Sequence, residues 1–189
     1  PDMGLLNWRK LEENFGTESE YLGFLRDSPS AAQRLCHVLS NSRFLGDALN
    51  KSVESVTWLG NDEELKPRTR ESLDIQTKAA LERNAGSISD FANSVRVMRR
   101  HEIERIGLAW MSGVTDDATS LAGMTDVYDA IIEASLRWAI RHQLDEMRFD
   151  EAPAAITVIG MGRYGGREVN FSSDADVIII YRPTEDTGT

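Results

Sequence analysis

Apolar residues along this chain recur at helical spacing up to about Phe149 and then switch to two short, nearly unbroken runs. In the helical part, Ser28-Pro29 is a start signal, with proline at the first helical position and Ala31, Leu35, Val38 and Leu39 following on one face. A short segment from Ser42 to Leu49 comes next. The pattern predicts a helix over Thr69 to Ala85, stopped by Gly86, after which Ser87 and Asp90 open another. That helix carries Ile88, Phe91, Val95, Met98, Ile103, Ile106 and Trp110 as an approximate apolar stripe. Thr125 is the expected cap of the last long helix, whose core face holds Val127, Ile131, Ala134, Trp138 and Leu144. The connection from Gly113 to Met124 then joins the two long helices as an antiparallel pair.

The two apolar runs have a different character. Ala154 to Gly160 is rich in β-branched residues and ends at a glycine, so it reads as a short, largely buried strand. In the second run, Ile178 and Ile180 share one face while Val177, Ile179 and Tyr181 take the other, which predicts a central strand. Between them lies Gly160-Met-Gly-Arg-Tyr-Gly-Gly-Arg-Glu-Val-Asn-Phe-Ser-Ser-Asp174-Ala-Asp176. Period-2 alternation puts Asp174 and Asp176 on one side and Ala175 on the other. Two ionised carboxylates pointing the same way repel, so they need a cation between them or water around them. Mg²⁺ meets that need, because it takes a few carboxylate oxygens and completes its octahedron with water and substrate phosphates.

Gly160-x-Gly162-x-x-Gly165 after a strand also satisfies the dinucleotide-binding fingerprint, with Glu185 about 20 residues further on. A crossover to a parallel strand needs roughly a dozen residues or more, usually with a helix, and Gly166 to Ser173 leaves too few. The spacing favours an antiparallel return that brings the glycine turn and the carboxylates to one edge of the sheet. Glycines alone would mean a tight turn, and aspartates alone a cap or a solvated strand end. Gly165-Gly166 and Asp174-Ala-Asp176 between two strands point together to an active site.

The segment Gly160 to Tyr181, with Met161, Gly162, Arg163, Arg167-Glu168, Asn170 and Ser172-Ser173, resembles the nucleotidyltransferase signature of glutamine synthetase adenylyltransferases. These bacterial enzymes attach AMP to, and remove it from, a tyrosine of glutamine synthetase. The upstream helical region, including Ser42-Arg-Phe-Leu, resembles the segment before such a domain, with less specificity. The resemblance implies a mainly α fold with a small α/β part. A helical region over 1–150 would precede the first two strands of a polymerase-β-like nucleotidyltransferase fold, incomplete, over 151–189.

It further implies Mg²⁺-dependent transfer of AMP from ATP, with Asp174 and Asp176 as catalytic metal ligands. Gly165 and Gly166 would let backbone amides approach the phosphates, and Ser172 or Ser173 would add a hydrogen bond. Glutamine synthetase is the implied protein substrate and a PII-type signal protein an implied partner. The family enzyme has two related halves, one removing and one adding AMP. Asp27-Ser-Pro and Ser42-Arg-Phe-Leu incline towards the adding half, whereas Asn170-Phe-Ser-Ser also fits the other. The superfamily's third carboxylate lies on a later strand that has no counterpart here, so this stretch alone is expected to be inactive. Arg182-Pro183 and the polar residues after it read as the start of a loop. Two other readings remain open: a nucleotidyltransferase with a different acceptor, and a non-catalytic helical interaction module.

Composition agrees with a globular cytoplasmic chain, at 41% hydrophobic and 28% charged residues with no transmembrane run or leader. A net charge of -10 argues against nucleic-acid binding, which needs a basic footprint. The single Cys36, beside Leu35 and Val38, is expected to be a small core hydrophobe. His37, His101 and His142 lack the spacing of a zinc site. Trp58, Trp110 and Trp138 are expected as core or inter-helix anchors. The cluster Arg99, Arg100, His101, Glu102, Glu104 and Arg105 reads as a solvated charged face, with a docking or phosphate-contacting patch as the alternative.

Overall fold

Side-chain caps open several of the helices in a computed structural model, which describes residues 2–15 and 19–184. Helices α1 (Asp2–Phe15) and α2 (Ser19–Asp27) lead into α3 (Pro29–Asn41), which has proline in its first turn and buries Ala31, Leu35, Val38 and Leu39. Cys36 is exposed, not a core hydrophobe, because one residue past Leu35 turns it about 100° away from that face. The Ser42 hydroxyl accepts the Leu45 amide at 3.1 Å and opens α4 (Arg43–Leu49). A 3-10 helix (Val53–Gly60) and α5 (Asp62–Leu65) follow. Thr69 caps α6 (Arg70–Arg83), and the Ser87 hydroxyl accepts the Asp90 amide at the start of α7 (Ile88–Met111).

The last long helix, α8 (Asp117–Met147), starts well before Thr125. Asp116 supplies the cap, its carboxylate accepting the Thr119 amide at 2.8 Å, and the connection expected over Gly113 to Met124 shrinks to residues 112–116. Thr125 is interior, its hydroxyl donating to the Leu121 carbonyl at 2.9 Å, as threonine does within a helix.

The chain divides into two compact units, Pro1–Pro67 with Arg100–Ser120, and Arg68–Arg99 with Leu121–Thr189. In the first, Leu11, Leu35, Leu39, Leu49, Leu59 and Leu108 belong to one apolar core, with Trp58 packed against it. Glu102, Glu104 and Arg105 are buried, so the charged cluster is not a solvated face along its whole length. They share helical turns with buried Ile103 and Ile106, and the Arg105 guanidinium lies 4.0 Å from the Trp58 ring centroid and pairs with Glu102 at 3.2 Å. Trp110 is 45% exposed and donates its indole N–H to Asp117 at 2.7 Å, anchoring the helix connection and not the core. Ile88, 64% exposed, likewise falls off the apolar stripe.

In the second unit, Phe91, Val95, Ala134 and Trp138 form a buried cluster, with the rings of Phe91 and Trp138 stacked at 5.9 Å. Further along, Arg99 lies over the Tyr128 ring, so α7 and α8 run antiparallel here, as the pattern predicted. The Trp138 indole donates to the Asn84 carbonyl at 3.2 Å, fixing the end of α6.

Strands β1 (Ala154–Gly160) and β2 (Val177–Pro183) pair antiparallel, from Ala154 opposite Pro183 to Gly160 opposite Val177. That is the return the short spacing required, and it removes the parallel crossover of the dinucleotide fold; Glu185 of that fingerprint lies outside the described residues. β1 is mostly exposed and β2 exposed throughout, so neither is the buried strand expected, and β2 is not central among the described residues. Apolar faces mark a strand that can be covered; here each strand pairs only with the other. No described helix is long and apolar enough to cross a membrane.

Candidate functional site

The antiparallel register brings the glycine turn onto the aspartates. Gly160 ends β1 opposite Val177, and the next amide, Met161, donates to the Asp176 carbonyl at 2.8 Å. Gly162 has φ +53°, and a Cβ built there would lie 3.7 Å from Asp176 Oδ2. Asp174 and Asp176 stand just before β2, outside the strand whose alternation was expected to orient them; both are exposed, and Ala175 between them is half-buried. Among the described residues neither carboxylate has a side-chain ion pair, and no third His, Cys, Asp or Glu joins them in a metal-holding group. Two accessible, unpaired carboxylates beside a glycine suit a hard divalent cation that takes few protein oxygens.

The turn itself is α9 (Gly162–Gly165). A Cβ on Gly165 would sit 2.4 Å from the Gly160 carbonyl oxygen, so only glycine lets the turn fold back against the strand end. The Gly165 amide donates to Met161 and the Gly166 amide to Gly162, at 2.8 and 3.0 Å, so both are used within the turn. By helix geometry, the amides without an intrahelical acceptor are those of the first turn, from Gly162 to Tyr164.

The turn closes with Arg167 donating to Tyr164 O at 3.1 Å and Glu168 to Arg163 O at 2.7 Å. This is the paired C-terminal motif that usually places glycine at the left-handed position, yet Arg167 occupies it at φ +58°. Its guanidinium reaches Asp126 at 2.6 Å and Asp129 at 3.5 Å. The Tyr164 hydroxyl donates to the other Asp129 oxygen at 2.5 Å, and burial followed by that hydrogen bond pushes the phenol above its ordinary range.

Asn170 organises the two serines. Its Oδ1 accepts from the Ser172 amide at 3.1 Å and from the Ser172 and Ser173 hydroxyls at 3.2 and 2.9 Å, while its own amide donates to Ser173 Oγ. Tyr128 on α8 donates to the Ser173 carbonyl at 3.4 Å. Asn followed two and three residues later by Ser is an Asx-turn signal that was readable in the sequence. The partners of Tyr164 and Arg167 on α8 carry no such local signal.

A glycine turn thus follows one strand, and a carboxylate pair leads into the next. The family model for glutamate-ammonia ligase adenylyltransferase matches residues 32–189, and the chain belongs to that family. It is 75% identical over 186 residues to a bifunctional glutamine synthetase adenylyltransferase/adenylyl-removing enzyme of Bifidobacterium longum (strain DJO10A), across 98% of this chain and 17% of that protein. It is 40% identical over 183 residues to the like-named protein of Leifsonia xyli subsp. xyli, across 97% of this chain and 18% of that one. For the like-named protein of Mycobacterium tuberculosis (strain H37Rv) the identity is 38% over 186 residues, across 97% and 18%. The chain thus spans less than a fifth of the length of these relatives.

Proposed function

We propose that this segment carries part of one nucleotidyl-transfer site of a cytoplasmic enzyme that regulates glutamine synthetase by moving AMP onto, or off, a tyrosine of that protein. The observation that carries the reading is Asp176, tied by its own carbonyl to the residue after β1 while its carboxylate stays exposed beside Gly162. The segment then forms the opening strands of a polymerase-β-like nucleotidyltransferase fold, and residues of the longer protein supply the third carboxylate.

In this reading Asp174 and Asp176 are the ligands of Mg²⁺. The chemistry such a cation supplies is neutralisation of phosphate oxygens as pyrophosphate leaves ATP. Gly165 lets the turn approach the strand end, and Asn170 sets the positions of Ser172 and Ser173, which would add a hydrogen bond to the phosphates. The tyrosine hydroxyl of glutamine synthetase attacks the α-phosphorus. In the opposite direction, inorganic phosphate attacks the phosphorus of the tyrosyl-AMP link, the tyrosine oxygen leaves and takes up a proton, and the AMP and phosphate depart as ADP. The resemblance of Asp27-Ser-Pro and Ser42-Arg-Phe-Leu to the adding half favours the forward direction, and a PII-type signal protein is the proposed regulator.

The test is transfer of labelled AMP from ATP to glutamine synthetase by the full-length enzyme, compared with Asp174→Asn and Asp176→Asn. Loss of transfer with phosphate-dependent removal retained supports this reading. Loss of removal alone reassigns the segment to the other half, and full activity in both directions refutes the metal-ligand role.

A further inference from the structure

Tyr164 and Arg167, both from the glycine turn, end on the same carboxylate of α8. Asp129 accepts the Tyr164 hydroxyl on Oδ1 at 2.5 Å, and its Oδ2 lies 3.5 Å from Arg167 and 3.6 Å from Arg70 of α6. Arg70 also pairs with Glu133 at 2.5 Å and with Asp74 at 2.8 Å, so it is held from several sides as the counter-charge. Asp126 adds a second hold on Arg167.

Arg167 makes the arrangement informative. Its backbone is left-handed, a conformation glycine adopts freely and arginine does not, so the local turn gains nothing from arginine. What arginine adds is the side-chain reach to Asp126 and Asp129. Tyr164 is buried, and a Cβ on Gly160 would meet its ring at 3.0 Å, so the ring braces the end of β1. From Gly160 the chain passes to Met161, whose amide holds the Asp176 carbonyl.

We propose that Asp129 is a positioning residue of the transfer site: through Tyr164 and Arg167 it fixes the glycine turn, and through the Met161 to Asp176 hydrogen bond it fixes the carboxylate pair, without touching substrate. This rests on the reading of Asp176 as a metal ligand.

The experiment uses the full-length enzyme with Asp129→Ala, Asp129→Asn, Arg167→Gly and, as reference, Asp176→Asn. Steady-state AMP transfer is measured per folded enzyme, and amide hydrogen exchange is followed over residues 160–177. Asp129→Ala is expected to lower kcat roughly tenfold or more with a smaller change in KM for ATP, since misplaced groups lose transition-state contacts first. Asp129→Asn keeps an acceptor for Tyr164 and recovers part of the loss. Arg167→Gly relaxes the backbone, so it folds, yet it lowers kcat and speeds exchange across the turn. Wild-type kcat and unchanged exchange in Asp129→Ala and Arg167→Gly, with Asp176→Asn inactive, would overturn the positioning role while leaving the site intact. Wild-type activity of Asp176→Asn in both AMP transfer and phosphate-dependent AMP removal would remove the site and this inference with it.

Discussion

The backbone amide of Met161 donates to the carbonyl of Asp176 at 2.8 Å, so the first residue beyond β1 and the last residue before β2 are bound to each other. The glycine turn and the carboxylate pair are therefore one local unit.

Glycine is required unequally within that unit. At Gly165 a methyl group would stand 2.4 Å from a backbone oxygen of Gly160, whereas at Gly166 the nearest atom is at 3.4 Å. Gly165→Ala is expected to destabilise the chain by about 1–3 kcal/mol and abolish transfer, because the turn must move away from the strand end. Gly166→Ala should stay near wild type in denaturant midpoint. Equal effects of the two in urea unfolding would contradict this.

Asn170 acts on its loop as an acceptor. Asn170→Ala releases Ser172 and Ser173 and should speed hydrogen exchange over residues 170–173, each lost bond being worth roughly 0.5–1.5 kcal/mol. Asn170→Asp keeps the accepting oxygen and should preserve slow exchange, while its added charge beside Asp174 and Asp176 alters metal affinity.

Glu104 makes stability depend on pH. Burial pushes its carboxyl up to about 7; Glu54 raises it further, and Arg100 and Arg105 lower it. A folded pKa above the unfolded 4.5 means that the folded state holds the proton more tightly. The resulting stability is complete below about pH 4.5 and is lost as pH rises through about 7, amounting to about 3 kcal/mol. Urea midpoints measured between pH 5 and 8.5 should fall with pH in the wild type and stay level at this position in Glu104→Gln. Parallel profiles for the two proteins would rule out Glu104 as the source.

Much of this was legible where the determinant is local. Ser42, Thr69 and Ser87 cap helices at or beside the starts that the sequence pattern gave for those segments, and the short loop between the strands dictated the antiparallel return. Thr125 misled because a threonine inside a helix can satisfy its hydroxyl on the preceding turn, while Asp116 is the better cap. Burial of Glu102, Glu104 and Arg105 was hidden because charge predicts exposure unless a partner such as Trp58 is known to lie alongside. Exposure of β2 was hidden for the converse reason: an apolar strand does not report which elements lie over it. Asp129 could not be found from spacing, since Tyr164 and Arg167 reach it across the fold and not along the chain.

The metal-ligand role of Asp174 and Asp176 is tested most directly by replacing Mg²⁺ with Fe²⁺ in the full-length enzyme with ATP present, then adding ascorbate and peroxide and mapping backbone cleavage. Cleavage near residues 160–162 and 174–177, lost in Asp174→Asn and Asp176→Asn, is the predicted result. Cleavage confined to other parts of the protein, or unchanged at these residues in both variants, would contradict it.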